Sequence, residues 1–282
     1  MTTHAVRTTL HHRVRSWKRH LPTWCTLGNG ICGVLAIIEV GIGLALQEGQ
    51  DLHQAWHLHL AAWLVLAGMA FDGVDGFVAR ALGETSEYGA MLDSLCDLLS
   101  FGAAPAFIVF AIAWRPELLS ERWPERLLLA TSVTYAVGAT VRLARFTSNT
   151  TADEASHRTF RGLPSPAAAG VVVGAVLVAR LLPAEHVAPA SGWFRWSLFA
   201  GTLAAAALMV SAVPYPHVIN RYLKGASPFT LIAIALASGA LVIFLGGAAV
   251  SFAFWGYALS GIVVAVARLL GGRRVSAGKR AS

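Results

Sequence analysis

The 282-residue sequence predicts an all-α, polytopic membrane helix bundle, on three observations. Hydrophobic residues make up 56% of the chain and charged residues only 13%, about half the charged share of an ordinary soluble domain. Apolar runs of about 18 residues or more recur along it, each long enough to cross the hydrocarbon layer of a bilayer as a helix. The remaining charge gathers mostly at the ends of those runs. Such a composition excludes disorder, and repeated runs of this length exclude an aqueous domain, which would bury one or two ordinary cores.

Taken in order, the first run, 21–46, follows Arg7, Arg13, Arg15, Lys18 and Arg19. That basic lead has the look of a signal peptide, but the run is too long for one and no small-residue cleavage site closes it. It is therefore expected to remain as a membrane helix. Residues 1–20 then form a basic cytoplasmic or interfacial segment, with Trp17 set against anionic lipid. The second run, 56–80, ends at Arg80, and a short polar turn at 83–87 leads back into the third, 88–114. Arg115, Arg122 and Arg126, interleaved with Glu117, Glu121 and Glu125, separate it from the fourth, 127–146. The polar stretch 147–161 comes next, placed to act as a flap over a site. The fifth run, 164–183, opens on Pro164, Ser165 and Pro166, proline being favoured in a helix's first turn. Runs at 194–213, 228–246 and 248–270 complete the set of eight, the last two separated only by Gly246 and Gly247.

An even number of spans puts both termini on one side, and the positive-inside rule makes that side cytoplasmic. Of the 22 Lys and Arg residues, 17 then fall there, including the five N-terminal ones, Arg142 and Arg145, and the basic tail at 271–282. The formal charge of +7 is thus a topology signal with some attraction for lipid headgroups, and nucleic acid is not needed to explain it. The expected location is the cell membrane of a bacterium or archaeon. Cys25, Cys32 and Cys96 sit in apolar stretches without ligand-like spacing and read as packing residues. Glu39, alone in the first run, is expected to hydrogen-bond a neighbour or to lie near the far interface. His53, His57 and His59 read as a solvated segment outside the membrane, in preference to a metal site.

The chemistry concentrates in residues 71–102. Asp72, Asp75, Asp93 and Asp97 lie inside apolar helical segments, where each buried carboxylate would cost several kcal/mol unless paired or metal-bound. Asp72 and Asp75 are spaced i, i+3, and Asp93 and Asp97 i, i+4, so each pair occupies one face of its helix. The turn at 83–87 makes the two helices an antiparallel hairpin, and the two faces can converge near its cytoplasmic end. Four carboxylates at close quarters repel one another, and a multivalent cation relieves that repulsion. All-oxygen ligation selects hard ions, Mg2+, Mn2+ or Ca2+, over zinc. Two such ions would hold a diphosphate and stabilise charge on attacking and leaving oxygens. Facing carboxylates also serve cation or proton transporters, and that reading stays open on the residues alone.

The string Asp72-x2-Asp75-Gly76-x2-Ala79-Arg80-x8-Gly89-x3-Asp93-x3-Asp97 resembles, without a mismatch, the signature of the CDP-alcohol phosphatidyltransferase family. Eight fixed positions make a chance match on the order of one in ten million or less. The resemblance implies a six-helix core, here 21–224, with about two additional C-terminal helices at 225–270. It implies two divalent metal ions on Asp72, Asp75, Asp93 and Asp97, with Asp97 also the general base. Asp72, Gly76, Ala79 and Arg80 would contact the cytidine nucleotide.

Within the family the flanks are similar to the membrane-embedded phosphatidylserine synthases: Asp93-Ser-Leu with Ser100-Phe-Gly, Arg142-Leu-Ala-Arg145-Phe, 160–169, and 208–211 with Pro214 and Tyr215. Two departures stand out, Thr23 after Pro22 and Thr147 after Phe146, at positions where that group commonly has Asn. The resemblance implies transfer of the phosphatidyl group of CDP-diacylglycerol to the hydroxyl of L-serine, giving phosphatidylserine and CMP. Choline, inositol phosphate or glycerol phosphate as acceptor, or an archaeol-type donor, are the alternatives. Arg142 and Arg145 would bind the lipid phosphate or the acceptor carboxylate, and Ser165 is either a site residue or a helix start. Small residues on the helices suggest a homodimer.

Overall fold

The computed structural model describes residues 2–47, 55–82, 87–114, 123–150, 162–182, 193–213, 215 and 246–265. These form seven helices and, among the described residues, no strand. They are α1 (Thr2–Ala45), α2 (Trp56–Leu82), α3 (Glu87–Ala113), α4 (Trp123–Thr150), α5 (Ser165–Ala179), α6 (Trp193–Val210) and α7 (Gly246–Ala265). The all-α bundle is as the hydrophobic runs require, because a backbone in lipid must satisfy its hydrogen bonds within its own segment. Among the described residues, four stretches are long and apolar enough to cross a membrane: Thr23–Ala45, Trp56–Gly76, Glu87–Ala113 and Gly246–Ala265. The basic segment and the first span, expected as two pieces, form one continuous 44-residue helix. Residues 228–245 of the expected helix at 228–246 lie outside the described residues, and Gly246 begins α7.

The layout is set by which faces are apolar. α1 packs along α2, α4 along α6, and α5 lies against both α2 and α6. α5 is buried on nearly every side, as a helix apolar all round must be. Its Gly170 and Gly174 take α7: Phe254 and Ser251 occupy the space a side chain would need, and Ser251 donates from its hydroxyl to the Gly174 carbonyl. α7 is therefore packed into the core through small residues, the means by which membrane helices approach closely. The outer faces of α1 and α7 show Trp24, Ile31, Ile38, Phe252 and Val263 to the surroundings, which suits lipid and not water.

One feature of α3 departs from the regular helix that the hydrophobic run predicts. Between the regular turns ending at Asp97 and beginning at Ala104, residues Leu98–Ala103 form a wide π-type turn. Such a turn takes in an extra residue and rotates the rest of the helix by about 100°. Neighbouring helices secure it. The fully buried Tyr135 of α4 donates from its hydroxyl to the Phe101 carbonyl at 2.9 Å, and Ser100 Oγ donates to the Asn29 carbonyl of α1 at 2.7 Å.

The far end of the α1–α2 pair brings a correction. His57 and His59 are not in a solvated segment: both lie at the start of α2, His57 half-buried and His59 only 4% exposed. Their neighbours explain this. Glu39 of α1 and His57 Nδ1 meet at 2.7 Å, and His59 Nδ1 lies 2.6 Å from the Ala55 carbonyl. Glu39 is thereby hydrogen-bonded to a neighbour, as expected, while His53 lies outside the described residues. Cys32 and Cys96 are buried and Cys25 partly so, all three free, in keeping with packing roles.

Candidate active site

The α2–α3 hairpin brings together three of the four aspartates that the spacing singled out. Asp72 and Asp75 share a face near the C-terminal end of α2, and Asp93 comes from the first half of α3. Each offers a carboxylate oxygen, and these oxygens lie within 4.8 Å of one another. Asp75 is 6% exposed, and Thr26 Oγ1 of α1 donates to its Oδ2 at 2.9 Å. Among the described residues, Asp93 Oδ1 is buried without a hydrogen-bond partner. A buried carboxylate oxygen of this kind demands an explanation, and a hard cation supplies one. The donor set is all oxygen, carries like charges at close range, and leaves one oxygen facing nothing else; it fits Mg2+, Mn2+ or Ca2+.

Asp97 stands outside this trio, one turn further along α3. Its charge still interacts with those of Asp72, Asp93 and Asp75. Its own hydrogen bond comes from α1, where Asn29 Nδ2 donates to Asp97 Oδ1 at 2.9 Å. Thr26 and Asn29 are residues that sequence reasoning missed. The signal was present: two polar side chains at i, i+3 in an apolar span share a face, by the same argument that linked Asp72 to Asp75. Thr23, one turn earlier, was the more conspicuous as a departure from the family's usual residue.

The basic residues take different positions. Arg142 Nη1 donates to Ser165 Oγ at 2.5 Å, and Ser165 is fully buried as the first residue of α5. Among the described residues, Arg142 Nε is buried without a partner, and the guanidinium is close enough to Asp97 for their charges to interact. Arg145 Nη1 instead donates to the Val210 carbonyl at 3.1 Å, at the end of α6, where a cation satisfies an orphaned helix carbonyl. The two readings of Ser165, site residue and helix start, are therefore not exclusive. Thr147, a departure from the usual residue, meets Ser94 at 3.1 Å between hydroxyls, tying α4 to the turn that carries Asp93. Gly76 is part-buried on α2; the side chains of Ala79 and Arg80 lie outside the described residues.

Gly162 fastens the chain ahead of Ser165. Its N–H donates to the Val213 carbonyl at 2.8 Å and the N–H of Leu163 to that of Leu208 at 3.0 Å. Gly162 has φ +91°, and a Cβ there would lie 2.5 Å from the Met209 carbonyl oxygen. Gly162→Ala is expected to destabilise the fold by about 1–3 kcal/mol from backbone strain alone, with the carbonyl clash in addition. A lowered unfolding midpoint in detergent checks this; an unchanged midpoint would contradict the strained placement.

Comparison with known proteins finds a family and relatives for this chain. A family model described as CDP-alcohol phosphatidyltransferase matches residues 19–267. The chain is similar to a protein named CDP-diacylglycerol–serine O-phosphatidyltransferase from Helicobacter pylori (strain ATCC 700392 / 26695), 40% identical over 120 residues, 42% of this chain and 46% of that protein. Proteins of the same name are 29% identical in Bacillus subtilis (strain 168), over 70% of this chain and 90% of the relative, and 32% identical in Mycobacterium tuberculosis (strain ATCC 25618 / H37Rv), over 64% and 58%. The match thus spans about half the length of the Helicobacter relative. Four apolar helices of spanning length and a family match over most of the sequence make this an integral membrane protein. With its eight-position signature intact and three of its aspartates converged on one site, the chain belongs to the CDP-alcohol phosphatidyltransferase family.

Proposed function

We propose that this protein transfers the phosphatidyl group of CDP-diacylglycerol to the hydroxyl of L-serine, releasing CMP. The observation that carries the reading is the convergence of Asp72, Asp75 and Asp93 beside a fourth carboxylate, Asp97, that is held separately by an amide. Support for serine comes from relatives that bear that acceptor in their names.

In this reading the serine oxygen attacks the lipid-side phosphorus, its proton passes to Asp97, and the bond from that phosphorus to CMP breaks. A carboxylate is a weak base for an alcohol, so alignment and charge neutralisation account for most of the barrier reduction. Asp72, Asp75 and Asp93, with Asp97 at their edge, would hold two divalent ions, Mg2+ or Mn2+, with Ca2+ the other hard candidate. When bound, such ions neutralise the diphosphate and the departing CMP. Gly76, Ala79 and Arg80 belong to the nucleotide subsite together with Asp72. Arg142, Arg145 and Ser165 belong to the subsite for lipid phosphate or acceptor carboxylate, where Arg142 Nε, without a partner among the described residues, offers an N–H.

The distribution of basic residues supports an active site and two termini in the cytoplasm. On the same reading, 21–224 is the catalytic core, 225–270 holds additional helices, and 1–20 and 271–282 are basic cytoplasmic segments. A homodimer belongs to it as well; Gly73 and Gly256 are positions where a Cβ would meet nothing within 4 Å.

The test is release of CMP from CDP-diacylglycerol by purified protein in detergent. Release is expected only when L-serine and Mg2+ or Mn2+ are both supplied. Release with choline, inositol phosphate or glycerol phosphate in place of serine would reassign the acceptor, and turnover only with an archaeol-type donor would reassign the lipid. No release with any acceptor, together with metal flux across liposomes, would replace the enzyme reading with transport.

A further inference from the structure

We propose that Asn29 is the positioning residue for Asp97: an amide fixed at the crossing of α1, α2 and α3 that presents one carboxylate oxygen to the acceptor by occupying the other. This inference rests on the reading of Asp97 as the base.

The crossing is built to hold that amide still. Asn29 is fully buried. Its backbone carbonyl accepts from Ser100 Oγ at 2.7 Å, which clips α1 to the wide turn directly after Asp97. The clip needs two bare positions on α1. A Cβ on Gly30 would lie 2.8 Å from Cys96 Sγ, and one on Gly33 would lie 2.8 Å from the Ser100 backbone nitrogen, so any larger residue would push α1 off α3. A third glycine clears the side chain itself. On α2, a Cβ at Gly68 would lie 2.8 Å from Asn29 Oδ1. The amide thus sits over a glycine on one helix while its Nδ2 reaches Asp97 Oδ1, 2.9 Å away, on another. Its orientation is fixed by charge, since turning the carbonyl toward a carboxylate would set two acceptors face to face.

The consequence concerns Asp97. It is the residue from which the wide turn starts, where regular helical geometry ends. One donor, a buried side chain on a different helix, fixes the carboxylate plane. The bond takes up Oδ1 and leaves Oδ2 as the proton acceptor. Among the described residues, Asn29 Oδ1 is buried without a hydrogen-bond partner. That loss is tolerated to keep the donor on the right side, and a side chain selected only to fill space would not incur it.

The decisive variant is Asn29→Leu, close to isosteric but without a donor, beside Asn29→Ala. A positioning role predicts a fall in kcat of about 10- to 100-fold for both, the usual effect of losing a partner that orients a reacting group. KM for serine and for CDP-diacylglycerol should stay within about threefold, because the loss falls on the transition state. Mn2+ affinity, read directly by electron paramagnetic resonance, should also stay near wild type, because Asp72, Asp75 and Asp93 form the converged ligand set and Asp97 stands only at its edge. Gly68→Ala, which presses on the amide from α2, should reproduce the split and serves if the Asn29 variants do not fold. Wild-type kcat in Asn29→Leu would show that only volume matters and overturn the inference, as would a collapse of Mn2+ affinity alongside kcat. These outcomes presuppose a wild type that releases CMP; a wild type that releases none, with any acceptor, overturns the reaction reading itself.

Discussion

Asp97→Asn is expected to lower kcat for CMP release by about 10²- to 10⁴-fold, the range that general-base catalysis contributes. The substitution keeps the shape of the side chain and an oxygen for the Asn29 amide to donate to, yet an amide cannot take the serine proton. The expected signature is a loss of kcat in protein that still folds and still binds CDP-diacylglycerol. Single-turnover measurements at saturating donor separate chemistry from binding and product release. Turnover within about threefold of wild type would remove Asp97 from the role of base, because nothing short of proton transfer through another group could sustain it.

Asp93→Asn should abolish divalent-dependent turnover by a different route. Its Oδ1 is buried without a hydrogen-bond partner among the described residues, and its carboxylate shares a 4.8 Å neighbourhood with those of Asp72 and Asp75. Exchange for an amide removes one charge from that set and reduces the attraction for a hard cation. The loss of Mn2+ affinity should exceed the roughly 10- to 100-fold that removal of an outer partner costs. Isothermal titration with Mn2+ reads this without reference to activity. The variant should unfold no earlier than wild type in metal-free buffer, since three carboxylates repel and removing one relieves that repulsion. Unaltered Mn2+ affinity would place the cation elsewhere.

The aspartates could be read from the sequence because a lipid environment makes them conspicuous. A charged group in an apolar span costs several kcal/mol unless it is paired or metal-bound, so four of them in 26 residues announce a site, and helical periodicity assigns each to a face. The same reasoning covered α2 and α3. It faltered where a residue was merely polar. Thr26 and Asn29 are uncharged, cost less to bury than a carboxylate and gave no alarm, although they reach Asp75 and Asp97 across 49 and 68 positions of sequence. His57 and His59 were placed in solvent for the opposite reason: a histidine cluster looks hydrophilic until a partner such as Glu39 is found on the neighbouring helix.

The π-type turn at Leu98–Ala103 illustrates a further limit. Its sequence marks are slight, Gly102 within it and Pro105 just after it, which has no N–H for the Phe101 carbonyl; it is held by Tyr135 of α4 and by the carbonyl of Asn29 on α1. Likewise Arg142 and Arg145, three apart and equivalent by periodicity, diverge because one finds Ser165 and the other the end of α6. By itself, then, the sequence determined the all-α membrane class, the α2 and α3 helices and the four carboxylates, since each is dictated by the demands of one segment in lipid. Tertiary structure alone decided which polar groups hold those carboxylates and which neighbours secure the wide turn of α3. Those outcomes depend on how closely two helices approach, and glycines at positions 30, 33 and 68 set that distance only once the helices have packed.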